Sequence, residues 1–194
     1  VIIGAIISAI ASWNVNRTYK NFSKFSNGKG LSAEDVAALI LHKAGIYDVR
    51  IERIRGSLTD HYSPNEKVLR LSDSVYGSTS VAAIGVAAHE CGHAIQHHQG
   101  YFPLKLRAAS VPIANIGSKL SWPIILIGLI FGWMGIAQIG VYLFTFVVFF
   151  QLITLPVEFN ASSRALRVLE ERKLLIRGEL KGASKVLKAA ALTY

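Results

Sequence analysis

Residues 80–100 read SVAAIGVAAHECGHAIQHHQG, an apolar, alanine-rich run into which His89, Glu90 and His93 are set. Ser80 is a natural helix N-cap and Gly100 suits the position just past a helix end. On one helix, side chains four apart stand on the same face, with about 5–6 Å between their Cβ atoms. His89 and His93 can therefore converge on a single tetrahedral zinc ion. Glu90 stands beside the metal face without being a ligand, placed as general base for a water whose pKa the metal lowers to about 7. This is the helical H-E-x-x-H arrangement. A core helix has no other use for His and Glu amid alanines, because polar groups out of water need partners. Cys91 fills a variable position of the motif and reads as a packing residue rather than a nucleophile. As the only cysteine of the chain it excludes an intramolecular disulfide.

The composition around this helix points to a membrane. With 52% hydrophobic and 17% charged residues and a mean hydropathy of +0.39, the chain is more apolar than an ordinary soluble domain. Residues 120–157, 38 in all, carry no charge. As helix they would run about 57 Å, close to twice the ~30 Å hydrocarbon thickness of a bilayer, so two short spans fit better than one. The turn falls near residues 132–140, with Trp122, Trp133 and Tyr142 as interfacial aromatics. The apolar tract 1–11 is too short to span alone and reads as the end of a first transmembrane helix. Residues 189–194 read as the opening of another apolar helix. The expected organisation is thus 1–12, end of a first membrane helix; 13–120, a cytoplasmic catalytic part with a hairpin and the zinc helix; 121–157, two spans; 158–194, the third-ligand helix and the start of a further helix.

Basic residues outnumber acidic ones by 13 to 8 over residues 13–120 and by 8 to 4 from residue 158 onward, and the turn between the spans has neither. The positive-inside rule then places both charged segments in the cytoplasm. The net charge of +9 would also suit nucleic acid, but the basic residues are spread over two segments with no base-stacking aromatics among them, and that class is set aside.

Upstream of the motif, Arg17, Lys20 and Lys24 follow the first apolar tract. Ser32 with Asp35 three residues on resembles a helix start, and Val36, Leu39 and Ile40 form an apolar stripe ending near Gly45. Residues 49–54 alternate in strand fashion, and 58–62, a turn at Pro64 and Asn65, and 68–71 make a small β-hairpin. Such a hairpin either covers the core or offers an edge to an extended peptide.

His97 and His98, which follow the motif, do not complete a metal site. His97 shares a face with His89 and His93, but His89 and His97 are about 12 Å apart along the axis, too far to bind one ion at about 2.1 Å each. The metzincin continuation fails because Gln96 and Gln99 stand where it requires Gly and His. His42, on an amphipathic helix, and His61, beside a turn, read as surface residues. Glu158 is the better candidate: it is the first charge after two crossings have returned the chain to the side that holds His89. Ser162, four residues on, shares its face and is placed to hydrogen-bond a ligand.

His89, Glu90 and His93, followed by Leu155, Pro156, Val157, Glu158, Phe159, Asn160, Ala161 and Ser162, resemble the YugP-like neutral zinc metallopeptidases of bacterial membranes. These are related in pattern to the larger gluzincin membrane proteases, such as the heat-shock-associated and CAAX prenyl proteases. The resemblance covers nearly the whole chain. It implies His89, His93 and Glu158 as zinc ligands and Glu90 as base, in a bacterial plasma membrane. In the larger relatives an Asp matches Ser162, which cannot supply that negative charge. The oxyanion-stabilising group stays open among Arg164, His97 and Tyr76.

The expected fold is a mainly α membrane protein: a gluzincin-like bundle around the zinc helix, with a small β-hairpin and two to three transmembrane helices. The expected function is Zn2+-dependent hydrolysis of peptide bonds in protein substrates, with the lipid membrane as partner and a homo-oligomer or regulatory membrane protein as further partners. The competing class is a membrane scaffold or chaperone-like protein with a structural zinc. A structural site would be closed by a fourth protein ligand, and three are found. Metal transport is less favoured because no acidic residue or His lies within residues 121–156.

Overall fold

The computed structural model describes residues 2–192, so Val1, Thr193 and Tyr194, which belong to the two terminal expectations, lie outside the described residues. The described residues form six helices and three strands: α1 (Ile2–Phe22), α2 (Ala33–Lys43), β1 (Arg50–Ile54), β2 (His61–Ser63), β3 (Val68–Ser72), α3 (Val81–His98), α4 (Phe102–Ile130), α5 (Met134–Glu171) and α6 (Arg177–Ala191). They divide into two units, one holding the chain up to Gly100 and again from Glu158, the other Tyr101–Val157.

In the first unit α3 is the central element. Ala82, Ala83, Ile84, Ala87, Ala88 and Cys91 of this helix are fully buried among Val36, Ile40 and Leu41 of α2, Leu69 and Leu71 of β3, Ala165 and Leu169 of α5, and Ala183 and Val186 of α6. Small residues let these backbones come close. A Cβ on Gly85 would meet Ala183 at 3.3 Å, and one on Gly92 would lie 2.4 Å from the carbonyl oxygen of Ala161. Both helix starts expected upstream are capped as the sequence indicates: Ser32 Oγ accepts the Asp35 N–H, and Ser80 Oγ accepts the Ala83 N–H. Of the stripe on α2, Val36 and Ile40 are buried but Leu39 is exposed. Cys91 is buried, with its Sγ against the Ala37 carbonyl, and burial pushes its thiol pKa up.

The expected hairpin is β2 and β3, paired antiparallel with Tyr62 opposite Leu69. It is not alone. β1 lies parallel to β3 on the other side, Ile51 opposite Leu69, giving a three-stranded sheet in the order β1-β3-β2. The apolar VLRLS sequence of β3 is buried at four of five positions and so takes the centre, while the charge-rich RIERI of β1 suits an edge.

Two helix boundaries differ from the sequence reading. No new helix opens at Glu158: α5 runs unbroken through Pro156 and Glu158 to Glu171, because a helix leaving an apolar span has no reason to stop where charge begins. It ends before Leu174, where Lys173 adopts a positive φ of 51°. Ala189 to Ala191, read as the opening of a helix, are the last turn of α6, which starts at Arg177 with Glu179 accepting the Ile176 N–H.

The second unit is a helical hairpin of α4 and the apolar part of α5, turned at Gly132 with φ +70°. α4 and α5 are long and apolar enough to cross a membrane, and only 22% and 11% of their most apolar windows are buried, which is unlike the core helices of a soluble protein. The pair packs through glycines: a Cβ on Gly128 would lie 2.4 Å from the Ala137 nitrogen, and one on Gly140 would lie 2.9 Å from the Ser121 carbonyl oxygen.

The Gly92 contact yields a stability prediction. Gly92→Ala forces α3 away from the Ala161 backbone and lowers stability by about 1–3 kcal/mol, the usual cost of overpacking. Gly178→Ala, where nothing lies within 4 Å of the added carbon, is neutral or stabilising by up to about 1 kcal/mol. Denaturant unfolding of the metal-free protein in detergent compares the two, and equal stabilities would contradict the close approach.

Candidate metal centre

The central helix carries His89 and His93 on one face, their rings 4.7 Å apart between centroids and nearly perpendicular at 82°. Residues 158–171 of α5 bring Glu158 against them. Its Oε2 lies 3.0 Å from His89 Nε2 and 3.5 Å from His93 Nε2, and the three donor atoms all fall within 4.8 Å of one another. An ion bound tetrahedrally at about 2.0–2.1 Å has donors about 3.3 Å apart. The two approaches of Glu158 bracket that value, and two imidazole nitrogens with one carboxylate oxygen are a donor set that zinc accepts. Glu158 and His93 are 3% and 9% exposed, and a carboxylate so far out of water needs a positive partner.

Both imidazoles present Nε2 to Glu158 and turn Nδ1 to a polar partner. His89 Nδ1 lies 3.1 Å from Ser162 Oγ, so the serine noted in the sequence meets the first histidine of the motif. His93 Nδ1 lies 3.0 Å from Gln96 Oε1. Gln96, fully buried, donates from Nε2 to Asn160 Oδ1 at 2.9 Å, and Arg164 Nε donates to the same oxygen at 2.6 Å. Arg164 also donates to Gln99 Oε1. The sequence reading missed Gln96, Asn160 and Gln99. A signal was available: Gln96 sits three residues beyond His93, within one turn, in an otherwise apolar stretch.

Electrostatics follow from this packing. Burial alone would lower the pKa of His93, but its hydrogen bond to Glu158 and the negative charges of Glu90 and Glu158 outweigh that, and the pKa is raised. Glu90 is buried on α3 beside the two histidines. Asp60, just before β2, is pushed up by burial; Ser72 counters this by donating its N–H at 2.7 Å and its hydroxyl at 2.9 Å, and the charge of Glu90 adds to the rise.

The remaining candidates lie elsewhere. His97 Nδ1 is 2.9 Å from the Tyr62 hydroxyl, bridging α3 to the edge strand β2. His61 Nδ1 is 2.9 Å from the Thr59 carbonyl, and His42 packs on Tyr47 with ring centroids 5.4 Å apart. Tyr76 is exposed, and Arg164 is engaged with Asn160 and Gln99.

Comparison with known proteins agrees with this chemistry. The family described as "Putative neutral zinc metallopeptidase" matches residues 1–194. The chain is 44% identical over 188 residues to the "Putative membrane protease YugP" of Bacillus subtilis (strain 168), covering 97% of this chain and 84% of that protein. No solved structure matches it. With a match over the whole length, the chain belongs to this neutral zinc metallopeptidase family, and its cofactor is zinc.

Proposed function

We propose that the protein is a membrane zinc endopeptidase in which His89, His93 and Glu158 are the metal ligands and Glu90 is the general base. The observation that carries this reading is the approach of one carboxylate oxygen to both Nε2 atoms at 3.0 and 3.5 Å, which assembles three corners of a tetrahedron from two elements 65 residues apart in sequence between His93 and Glu158. Three protein ligands leave the fourth position to water or substrate, the pattern of a catalytic rather than a structural site. Zinc, when bound there, supplies a Lewis acid that polarises a carbonyl and acidifies water. Glu90, next to His89 on the helix, takes the proton from the attacking water and returns it to the leaving amine. Ser162, bonded to His89 Nδ1, orients that ring. β2 is an edge strand of the sheet whose residue Tyr62 meets α3 at His97, so an extended peptide added to this edge would run beside the metal helix.

α4 and the apolar part of α5 are proposed as two membrane spans, with the charged segments that hold the metal centre on the cytoplasmic side. In α1, Ile6, Ile10 and Trp13 are exposed, and Arg17 lies 5.0 Å from the centroid of the Trp13 ring, an aromatic and basic boundary suited to a membrane interface.

Glu90→Gln keeps the shape and removes the base. In detergent, this variant binds zinc as the parent does, while its cleavage of an unfolded protein, followed by mass spectrometry, falls by about 10²–10⁴-fold. If both forms hold zinc and neither cleaves, the scaffold reading with a structural zinc takes over.

Proton competition gives a second test. Neutral imidazole is the ligand form, and the raised pKa of His93 means a proton must be displaced. Zinc affinity therefore increases as the pH rises through the histidine range near 6.5 and above. The metal-free protein behaves oppositely with respect to this group. A folded pKa above the unfolded one contributes stability that is full below about pH 6.5 and is lost as the pH rises through the folded value. Chelator competition and denaturant unfolding across pH 5.5–8.5, with His93→Ala as reference, measure both trends.

A further inference from the structure

α6 turns its small and apolar residues inward, with Gly182, Ala183, Val186 and Leu187 buried. Its exposed stripe is cationic: Arg177, Lys181, Lys185 and Lys188 follow one another at the spacing of a single helix face, and all four are exposed. Glu179, the single acid of α6, is turned to the backbone, one oxygen accepting the Gly28 N–H at 2.8 Å and the other the Ile176 N–H at 2.9 Å. α1, which packs along α6, carries no acidic residue.

The two helices run antiparallel. Gly182 sits against Phe22, the last residue of α1, where an added Cβ would lie 2.8 Å from the ring, and Glu179 reaches Gly28 beyond that end. Each step along α6 past Gly182 therefore climbs back along α1 toward its apolar half. At 1.5 Å per residue, Lys185 and Lys188 stand about 4.5 and 9 Å above the contact, and Lys20 and Arg17, both exposed, stand about 3 and 7.5 Å above it on α1. The four cations thus share one level. Over them, about 15 and 13.5 Å from the contact, come Leu192 and Trp13, 64% and 60% exposed, and then the exposed Ile10 and Ile6. Basic side chains followed by large apolar ones is the order met on entering a bilayer from water.

We propose that Arg17, Lys20, Lys185 and Lys188 form a basic belt that binds the anionic headgroups of a lipid surface. The inference rests on the reading of the chain as a membrane protein with its charged segments in the cytoplasm, where lipid surfaces are negative. Charge complementarity selects this partner: cations from two helices, directly beneath exposed apolar side chains, fit phosphates that border hydrocarbon rather than a free anion in water. α6 also supports the metal helix, since Ala183 seats Gly85 of α3, one turn before His89. The belt therefore sets the height of the metal centre beneath the headgroups and favours peptide segments that lie close to the membrane surface.

The test uses the full chain in detergent micelles containing equal amounts of phosphatidylglycerol and phosphatidylcholine, with retained lipid counted by native mass spectrometry. The parent retains phosphatidylglycerol in preference. Lys185→Gln/Lys188→Gln lowers that preference about 5-fold or more, one basic side chain near an anionic surface being worth about 5-fold. Arg177→Gln/Lys181→Gln makes the same charge change at the end of the stripe remote from Trp13, and lowers the preference less than about 2-fold because the attraction fades within a Debye length. Lys185→Arg/Lys188→Arg keeps it. The replaced side chains are exposed, and thermal unfolding verifies that each variant is folded.

A parent without preference overturns the proposal, as do two glutamine pairs of equal effect. Displacement of the lipid by inorganic phosphate at the same concentration also overturns it, in favour of a free-anion site. Flotation of the parent with phosphatidylcholine vesicles after an alkaline wash judges the membrane reading separately. If the chain does not float, that reading fails, while the lipid counts still judge the belt. If it floats and the lipid preference is indifferent to Lys185 and Lys188, the belt alone fails.

Discussion

At Gly92 the backbone of α3 lies so near that of α5 at Ala161 that an added methyl carbon would sit 2.4 Å from the carbonyl oxygen. The separation of these two backbones decides whether a glutamate on one helix can touch two histidines on the other. Glutamate reaches only so far, and the 3.0 and 3.5 Å approaches of Glu158 Oε2 occur one turn from the contact. Every other feature of the first unit is consistent with holding this separation. Ala87, Ala88, Ala161 and Ala165 are small and fully buried, and Gly85, two turns before Gly92 on the same helix, allows α6 to approach α3 near Ala183. The alanine-rich sequence before the motif is thus a close-packing requirement and not merely a helix preference.

That constraint explains where the sequence was legible. His89, Glu90 and His93 announce themselves because a helix fixes their spacing, and Ser80 and Ser32 announce helix starts because their caps are local. Glu158 was reached by a different argument, from the charge-free stretch of residues 120–157 and the need for the chain to return. The structure joins it to both histidines, and it also places Ser162 on His89. What could not be read required knowing which residues face each other across two elements. The parallel pairing of β1 with β3 is one case, since a strand pattern says nothing about its partner. Gln96 and Asn160 are another: 64 residues separate them, and an isolated Gln in a helix carries no sign of its acceptor. The continuity of α5 through Glu158 was missed because a change from apolar to charged residues marks a change of environment, and a helix can cross such a change without ending.

The polar chain Arg164, Asn160, Gln96 also bears on how a buried acidic site stays folded. Glu90 and Glu158 are both buried, with His93 between their charges. Without metal, the histidine answers part of that negative charge by holding a proton more tightly. With metal, on the proposed reading, the ion replaces the proton, and the neutral hydrogen bonds on the far side of the rings stay as they are. The same contacts therefore serve both forms, which avoids rebuilding a buried network each time metal enters or leaves.

The character of those contacts then shapes the reactivity proposed for the centre. An anionic partner on a ligating imidazole makes it a stronger donor and so tempers the ion it binds. Here the partners are a hydroxyl and a carboxamide, so neither ring gains negative charge from behind. On the proposed reading Glu158 is the one anionic ligand among the three, and two neutral imidazoles complete the set. A carboxylate in place of Ser162 would orient His89 more firmly at the cost of Lewis acidity, and it would add a third buried negative charge beside Glu90 and Glu158. On the proposed reading, Ser162 avoids that repulsion and would leave a bound ion more electron-poor, at the cost of the orientation that an aspartate would impose on His89.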